Sequence, residues 1–334
     1  MEIGTKDSGT VSIRVLTAND VSVTLLTEEK FNGKVIHPGP SANRVSGEHG
    51  LSMMITIKDG GAGKRHILFD TGGLVGTIVE NCTQLNLKLN EVEKVILSHG
   101  HFDHFGSLTK VIPLLKEGSE LYISPHCYQQ FYGAVPKPGV PEIPAEELAE
   151  ALKKDKDKFI VNNKLPSLNK KIINDLANEH GVKVIETSEP VRLDDGIITS
   201  GEIELVDPDE VIKGIYIMKS RKEFEKNLFR DETSIYINIK EKGLAVITGC
   251  GHCGIMNTIK HAQKITGINK VYAIIGGFHE EWNPPELIEN KVKYLEELNP
   301  EITCGLHCTG FTFNKIMARH PSHTLGVAGT EFNL

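Results

Sequence analysis

Ser98-His99-Gly100-His101-Phe102-Asp103-His104-Phe105-Gly106 decides the fold of this chain. Three imidazoles and one carboxylate fall within residues 99–104, directly after the apolar run Val95-Ile96-Leu97. A short apolar run of this kind reads as a buried parallel strand. The Gly and Ser that follow mark a loop at its carboxyl end, where open α/β sheets collect ligands. His99 and His101, two apart in an extended loop, point to one side, whereas Asp103 and His104 open the next helix and point elsewhere. That arrangement suits two metal ions side by side better than one. A surface loop with incidental histidines is the alternative, and 14 histidines in 334 residues argue against chance clustering at this density.

Composition bounds the function classes. A hydrophobic content of 39% supports a sizeable core, in one large domain or two small ones. The net charge of −7 argues against a general nucleic-acid or membrane-surface binder, because nothing supplies a broad basic face. No apolar run reaches the roughly 18 residues of a membrane span. The opening Met1-Glu2-Ile3-Gly4-Thr5-Lys6-Asp7 lacks the apolar centre of a signal peptide. Six cysteines in a chain of this length do not make a disulfide scaffold, so a cytoplasmic protein is expected.

Outward from the histidine-rich loop, strands and helices alternate, which predicts an α/β fold. Residues 11–16 and 21–26 read as a strand pair around Ala18-Asn19-Asp20. Residues 30–50 read as a loop ending in Glu48-His49-Gly50, followed by strands at 51–57 and 64–69 and by Asp70-Thr71-Gly72-Gly73. Pro136, Pro138, Pro141 and Pro144 break regular structure, so 127–170 reads as an insertion beside the site, with a charged helical stretch at 146–158. Its Tyr128, Phe131 and Tyr132 either meet a flat substrate or pack the insertion onto the body. Further strands are expected at 197–202, 235–239, 244–248 and 271–275.

The pattern His-x-His-x-Asp-His resembles the signature of the metallo-β-lactamase superfamily. Glu48-His49-Gly50-Leu51-Ser52, Gly249-Cys250-Gly251-His252, Gly276-Gly277-Phe278-His279 and His307-Cys308-Thr309-Gly310 carry a closer similarity to its dihydropterin-ribofuranosylaminobenzene-phosphate synthase-like subgroup. The resemblance implies a four-layer αββα sandwich over 1–334 as a single domain, with metals at one edge between two sheets and the insertion at about 127–170 as a lid. It implies a first site of His99, His101 and His252, and a second of Asp103, His104 and His307. His320 and His323 are rivals of His307 that sit in a Pro/Ser turn rather than after a strand. Asp70 is implied to hold the metal loop rather than bind metal. The strand at 271–275 should end in an aspartate bridging the two metals, and this chain reads Gly276-Gly277-Phe278-His279-Glu280 there. His279 is therefore the candidate substitute ligand or catalytic group, with Glu280 the weaker one, and His49 is placed to touch substrate. Cys250 and Cys253, a Cys-x-x-Cys pair flanking His252, read as small apolar packing residues, with a redox pair as the alternative.

Imidazole and carboxylate donors suit two zinc ions, with iron, manganese and cobalt as alternatives. The expected function is a metal-dependent hydrolase that uses activated water on an ester, lactone or phosphoester, with Asp103 and His279 as catalytic candidates. The subgroup implies an alternative: a transferase that condenses a pterin diphosphate with a phosphorylated aryl riboside and releases pyrophosphate. A third reading is a non-catalytic metal-binding sensor. The expected partner is a small-molecule substrate, neither nucleic acid nor membrane, with homo-oligomerisation left open. Lys137, Arg221, Lys222 and Arg230 are the cations that could meet substrate phosphates.

Overall fold

The computed structural model describes residues 9–22, 24, 25, 27–39, 45–59 and 63–334. Two large sheets face each other. The first runs in the order Val35–Ile36, Glu331–Asn333, Thr10–Thr17, Ser52–Asp59, Gly63–Phe69, Val92–Ile96, Glu120–Ile123, Lys183–Glu186. The second runs Arg192–Asp194, Ile197–Thr199, Ile235–Ile239, Gly243–Thr248, Val271–Gly277, Ile302–Leu306.

Alternation along the strands sends one set of side chains to the space between the sheets and the other set outward. Ile13, Met53, Ile55 and Phe69 meet Ile235, Ile237, Ile247 and Ile275 in the central core. Outward-facing Leu68, Val95 and Leu121 are covered by Ile78 of the helix Thr77–Gln84, Leu108 of Leu108–Val111 and Ile173 of Lys170–Glu179. Val246 and Ile274 of the second sheet are covered by Ile259 of Ile255–Thr266, Val292 of Pro285–Leu298 and Phe313 of Gly310–Met317. This is the αββα sandwich.

The parallel strands of both sheets end at one edge. Phe69, Ile96, Thr248, Gly277 and Leu306 each close a strand there and hand over to the loops carrying Asp70, His99, Cys250, His279 and His307. Asp70, His279 and His307 all adopt the left-handed backbone conformation, with φ of 61°, 49° and 51°. Such backbone is uncommon outside glycine and gathers where surrounding structure fixes a functional loop.

Two expectations need correction. Thr10–Thr17 pairs with Ser52–Asp59 and with Glu331–Asn333 rather than with a following hairpin strand. Residues 21, 22, 24 and 25 lie in no strand, while 23 and 26 fall outside the described residues. The turn signal at Asn19 is used differently: its Oδ1 accepts from the Gly50 N–H at 3.2 Å and pairs with His307 Nδ1 at 2.8 Å, drawing the segment over the site. The insertion is also more ordered than its prolines suggest. Phe131–Pro136 and Phe159–Lys164 join Ile215–Ser220 and Glu223–Lys226 in a third, four-stranded antiparallel sheet. Pro136 ends its strand, and the helix Leu148–Lys154 packs Leu148 and Leu152 against Phe159, Tyr216 and Phe224. Half of this sheet comes from residues far along the chain, so local sequence could not reveal it. No helix among the described residues is long and apolar enough to cross a membrane.

Candidate metal centre

The donor atoms of His99, His101 and His252 lie within 4.8 Å of one another. The Nε2 atoms of all three are buried without a hydrogen-bond partner. One such orphan is costly, and three converging ones make sense as ligands of an ion. Burial comes first, then mutual repulsion with neighbouring imidazoles, in holding His99 and His252 well below the usual imidazole value; the same causes bring His101 down to about 3. All three therefore present neutral lone pairs, with no proton to expel on metal binding. Their rings are clamped: His252 stacks on Phe229 at 4.5 Å, and His101 meets the edge of Phe131 at 5.0 Å.

A second group lies alongside and comprises Asp103, His104, His307 and Cys250, again with donor atoms within 4.8 Å. Asp103 Oδ2 sits 3.1 Å from His307 Nε2 and 3.2 Å from His49 Nε2. Burial would raise the Asp103 carboxyl, but those two imidazoles outweigh it and hold the group well below the usual carboxylate range. Burial likewise works against the His104 cation, yet the Asp70 carboxylate beside it raises its pKa.

Asp70 sets the geometry of both groups. It accepts the Ser98 N–H at 2.7 Å and the Ser98 hydroxyl at 2.7 Å, and pairs with His104 Nδ1 at 2.6 Å. A carboxylate can only accept, so Nδ1 of His104 carries a proton and Nε2 faces the centre. The Ser98 hydroxyl, whose proton is committed to Asp70, accepts a hydrogen bond from His99 Nδ1–H at 2.8 Å, which frees His99 Nε2 by the same logic. Glu48 explains the motif around His49: its two oxygens accept the N–H groups of Val75, Gly76 and Thr77 at the start of the helix Thr77–Gln84. Gly73 must lack a side chain because a Cβ there would lie 2.4 Å from the His49 carbonyl.

Two residues escaped sequence reasoning altogether. Asp231 accepts the Gly100 N–H at 2.8 Å, between the two loop histidines. Glu232 accepts the N–H groups of His252 and Cys253 at 2.8 and 2.7 Å, and its Oε1 lies 3.2 Å from His252 Nδ1. The only sequence signal was an acidic pair directly before a buried strand. Glu232→Gln is expected to weaken metal binding at the three-imidazole group by roughly 10–100-fold, because an amide N–H would oppose a backbone N–H. Competition titration against a chelator reads this directly.

Burial raises the Asp231 carboxyl to about 7. In metal-free protein the folded state thus keeps a proton that the unfolded chain loses above its ordinary value of 3.8. The stabilising contribution is complete below 3.8 and is lost as pH rises through about 7. Asp231→Asn cannot titrate, so the variant should gain on wild type between pH 4 and 8, by on the order of a few kcal/mol at most. Denaturant midpoints across that range test the sign.

A cavity of about 910 Å³ opens onto both groups. His101, Asp103, His252 and His307 form one wall, with Phe102, Trp282, Phe311, Leu25 and Leu325 among its apolar lining. The third sheet contributes Gly133, Val135, Val161, Asn163 and Ile215, with Leu165 directly after it, so the insertion overhangs the centre. Of its aromatics, Phe131 supports His101 from below and Tyr132 packs on Phe224 at 5.1 Å.

The other expected residues divide clearly. His279 lines the cavity with its ring 4.8 Å from His252, but it joins neither donor group. Burial and the neighbouring imidazoles hold it well below the usual imidazole value. His49, exposed, lines the cavity beside Asp103. Glu280 is no ligand: it is buried in an ion pair with Lys291 at 2.6 Å, on the helix Pro285–Leu298. His320 pairs with Ser322 and His323 with Asn314, and neither joins a donor group. Cys253 packs with Ile203, Val211 and Phe229 as expected of a packing residue. Cys250 does not, since its Sγ lies 3.1 Å from His104 Nε2. None of Lys137, Arg221, Lys222 or Arg230 lines the cavity.

Comparison with known proteins agrees with the fold. The family model of the metallo-beta-lactamase superfamily matches residues 47–163. The chain is 33% identical over 268 residues to the 7,8-dihydropterin-6-methyl-4-(beta-D-ribofuranosyl)-aminobenzene-5'-phosphate synthase of Methanocaldococcus jannaschii, covering 79% of this chain and 82% of that one. It is 26% identical over 278 residues to an uncharacterized protein of the same organism, covering 83% and 90%. The crystal structure of Tm1679, a metal-dependent hydrolase of the beta-lactamase superfamily, superposes with a TM-score of 0.67 at 21% identity, covering 97% of this chain and 99% of that one.

Proposed function

The chain belongs to the metallo-beta-lactamase superfamily, and from that premise we propose a metal-dependent transferase of the kind named for its Methanocaldococcus jannaschii relative. It would condense a pterin diphosphate with a phosphorylated aryl riboside and release pyrophosphate. The observation that carries this reading is the cavity: its roughly 910 Å³ stand at the upper end of the range for single small ligands, with both donor groups on one wall and aromatic surface around the rest. That space accommodates two flat reactants.

Divalent ions would be held by His99, His101 and His252, and by Asp103, His104 and His307, and the one at the three-imidazole group would supply Lewis-acid polarisation of phosphoryl or carbonyl oxygens. Zinc suits these donors, with manganese, iron and cobalt as loading alternatives. The condensation breaks a C–O bond to pyrophosphate, forms a C–N bond to the aryl amine nitrogen and releases one proton from that amine. His49, open to the cavity at 3.2 Å from Asp103, is the group we assign to receive that proton. His279 and Trp282, with rings 5.5 Å apart, would position the flat substrate. We place the enzyme in the cytoplasm, acting on small molecules.

A hydrolase remains the second reading, and one observation favours it. Among the described residues the cavity lining holds Asp20, Asp103 and Glu281 but no Lys or Arg, which suits a neutral ester or lactone better than two phosphorylated substrates. Mass spectrometry of the products decides. Zinc- or manganese-loaded protein is given the pterin diphosphate with the aryl riboside phosphate, and separately a panel of lactones and phosphodiesters, each with and without chelator. Chelator-sensitive condensation with pyrophosphate release is the expected result. Chelator-sensitive hydrolysis alone would replace the transferase reading with the second one, and inert, metal-bound protein would favour a sensor.

A further inference from the structure

Within the second donor group, we propose that the Cys250 thiolate is a metal ligand, completing a closed four-donor site with Asp103, His104 and His307 and leaving the three-imidazole group as the open one. This rests on the metal-centre reading above and deepens it.

Five of the six cysteines are buried. Cys304 lies in the central core, Cys82 and Cys127 in the layer outside the first sheet, and Cys253 beside Phe229. Cys250 is equally buried, at 2% exposure, yet it belongs to none of these apolar clusters. Its neighbours are donors instead. Sγ stands 3.1 Å from His104 Nε2, the nitrogen that Asp70 turns toward the centre, and 3.4 Å from Cys308 Sγ.

The backbone sets this up. Gly251, at φ 75°, lets the loop after Gly243–Thr248 turn so that residues 250 and 252 serve different groups. A Cβ on Gly251 would approach the Gly277 carbonyl at 2.8 Å. The neighbouring strand cannot supply a donor at its end, because a Cβ on Gly277 would lie 2.9 Å from Cys308 Sγ and 3.0 Å from Cys250 Cα. The thiols fill the space a longer side chain would need.

The consequence is a pair of unlike sites. One sulfur, one carboxylate and two imidazoles make a full tetrahedral set for zinc, while three imidazoles leave a position free. A soft sulfur donor also biases the closed site toward zinc or cobalt and away from manganese. On binding, Cys250 releases its thiol proton to solvent.

The test is reconstitution of the full chain with cobalt(II), read by absorption, and with zinc, read by X-ray absorption. A sulfur-to-cobalt charge-transfer band and a zinc–sulfur distance of about 2.3 Å are expected. Both should vanish in Cys250→Ser, with bound metal falling from two ions to one, and persist in Cys253→Ser and Cys308→Ser. Should Cys250→Ser fail to fold, wild-type protein decides: metal must shield Cys250 from N-ethylmaleimide in peptide mapping, and a chelator must restore labelling. Two cobalt ions bound without a sulfur band overturn this inference and leave the metal centre standing. A band lost only in Cys308→Ser overturns it in favour of the other thiol. Absence of any bound metal overturns both.

Discussion

Asp103→Asn is expected to lower turnover by on the order of 10²–10⁴-fold while leaving the protein folded. The carboxylate is buried and ionised because His307 and His49 both point at its Oδ2, at 3.1 and 3.2 Å. It is the carboxylate member of the second donor group. An amide of the same shape keeps the packing and the contact to His307, so the cavity wall survives. What disappears is the negative charge that draws in the ion and orients the two histidines. The measurement is kcat at saturating metal, alongside thermal melting and metal content. A soluble, normally melting variant that turns over near the wild-type rate would remove Asp103 from the machinery.

Asp70→Ala is expected to cost stability rather than activity alone. The carboxylate is fully buried and takes three donors, from Ser98 N–H, Ser98 hydroxyl and His104 Nδ1–H. Truncation strands a backbone N–H and an imidazole N–H inside the protein, each carrying a desolvation cost of roughly 1–3 kcal/mol. A loss of about 3–5 kcal/mol follows, which for a protein of this size lowers the melting temperature by on the order of 10 °C. Asp70→Asn separates packing from proton placement. Its amide can donate to His104 Nδ1, which moves the imidazole proton to Nε2 and aims it at the centre. That variant should melt closer to wild type yet bind metal more weakly. Equal losses of stability in both variants would mean that Asp70 acts only as a buried strut.

Much of the centre was legible because it is written in short spacings. His99, His101, Asp103 and His104 follow one strand and open one helix, so period and punctuation place them at a sheet edge without any knowledge of distant residues. His252 and His307 each follow an apolar run in the same manner, and resemblance supplied their pairing with the first loop. The resemblance also directed attention to the strand ending Gly276-Gly277, where a carboxylate is missing. It could not show that a Cys250 thiol approaches His104 from the neighbouring strand's loop.

Residues whose role depends on long-range register were not legible. The third sheet joins Phe131–Pro136 to Ile215–Ser220, and neither segment advertises the other. The Thr10–Thr17 strand finds Glu331–Asn333 at the opposite end of the sequence, where a local turn signal favoured a hairpin. Asp231 and Glu232 sit in what reads as an ordinary acidic turn, and they matter because folding brings Gly100 and His252 to them.

By itself, then, the sequence determined the alternation of strands and helices and the residues offered at one sheet edge, since both are set by spacing over a few residues. The tertiary structure alone decided which side chains converge. A donor group, an orphaned nitrogen or a carboxylate tether exists only where separate loops are brought within a few ångströms, and that distance is fixed by how two sheets pack, not by any local pattern.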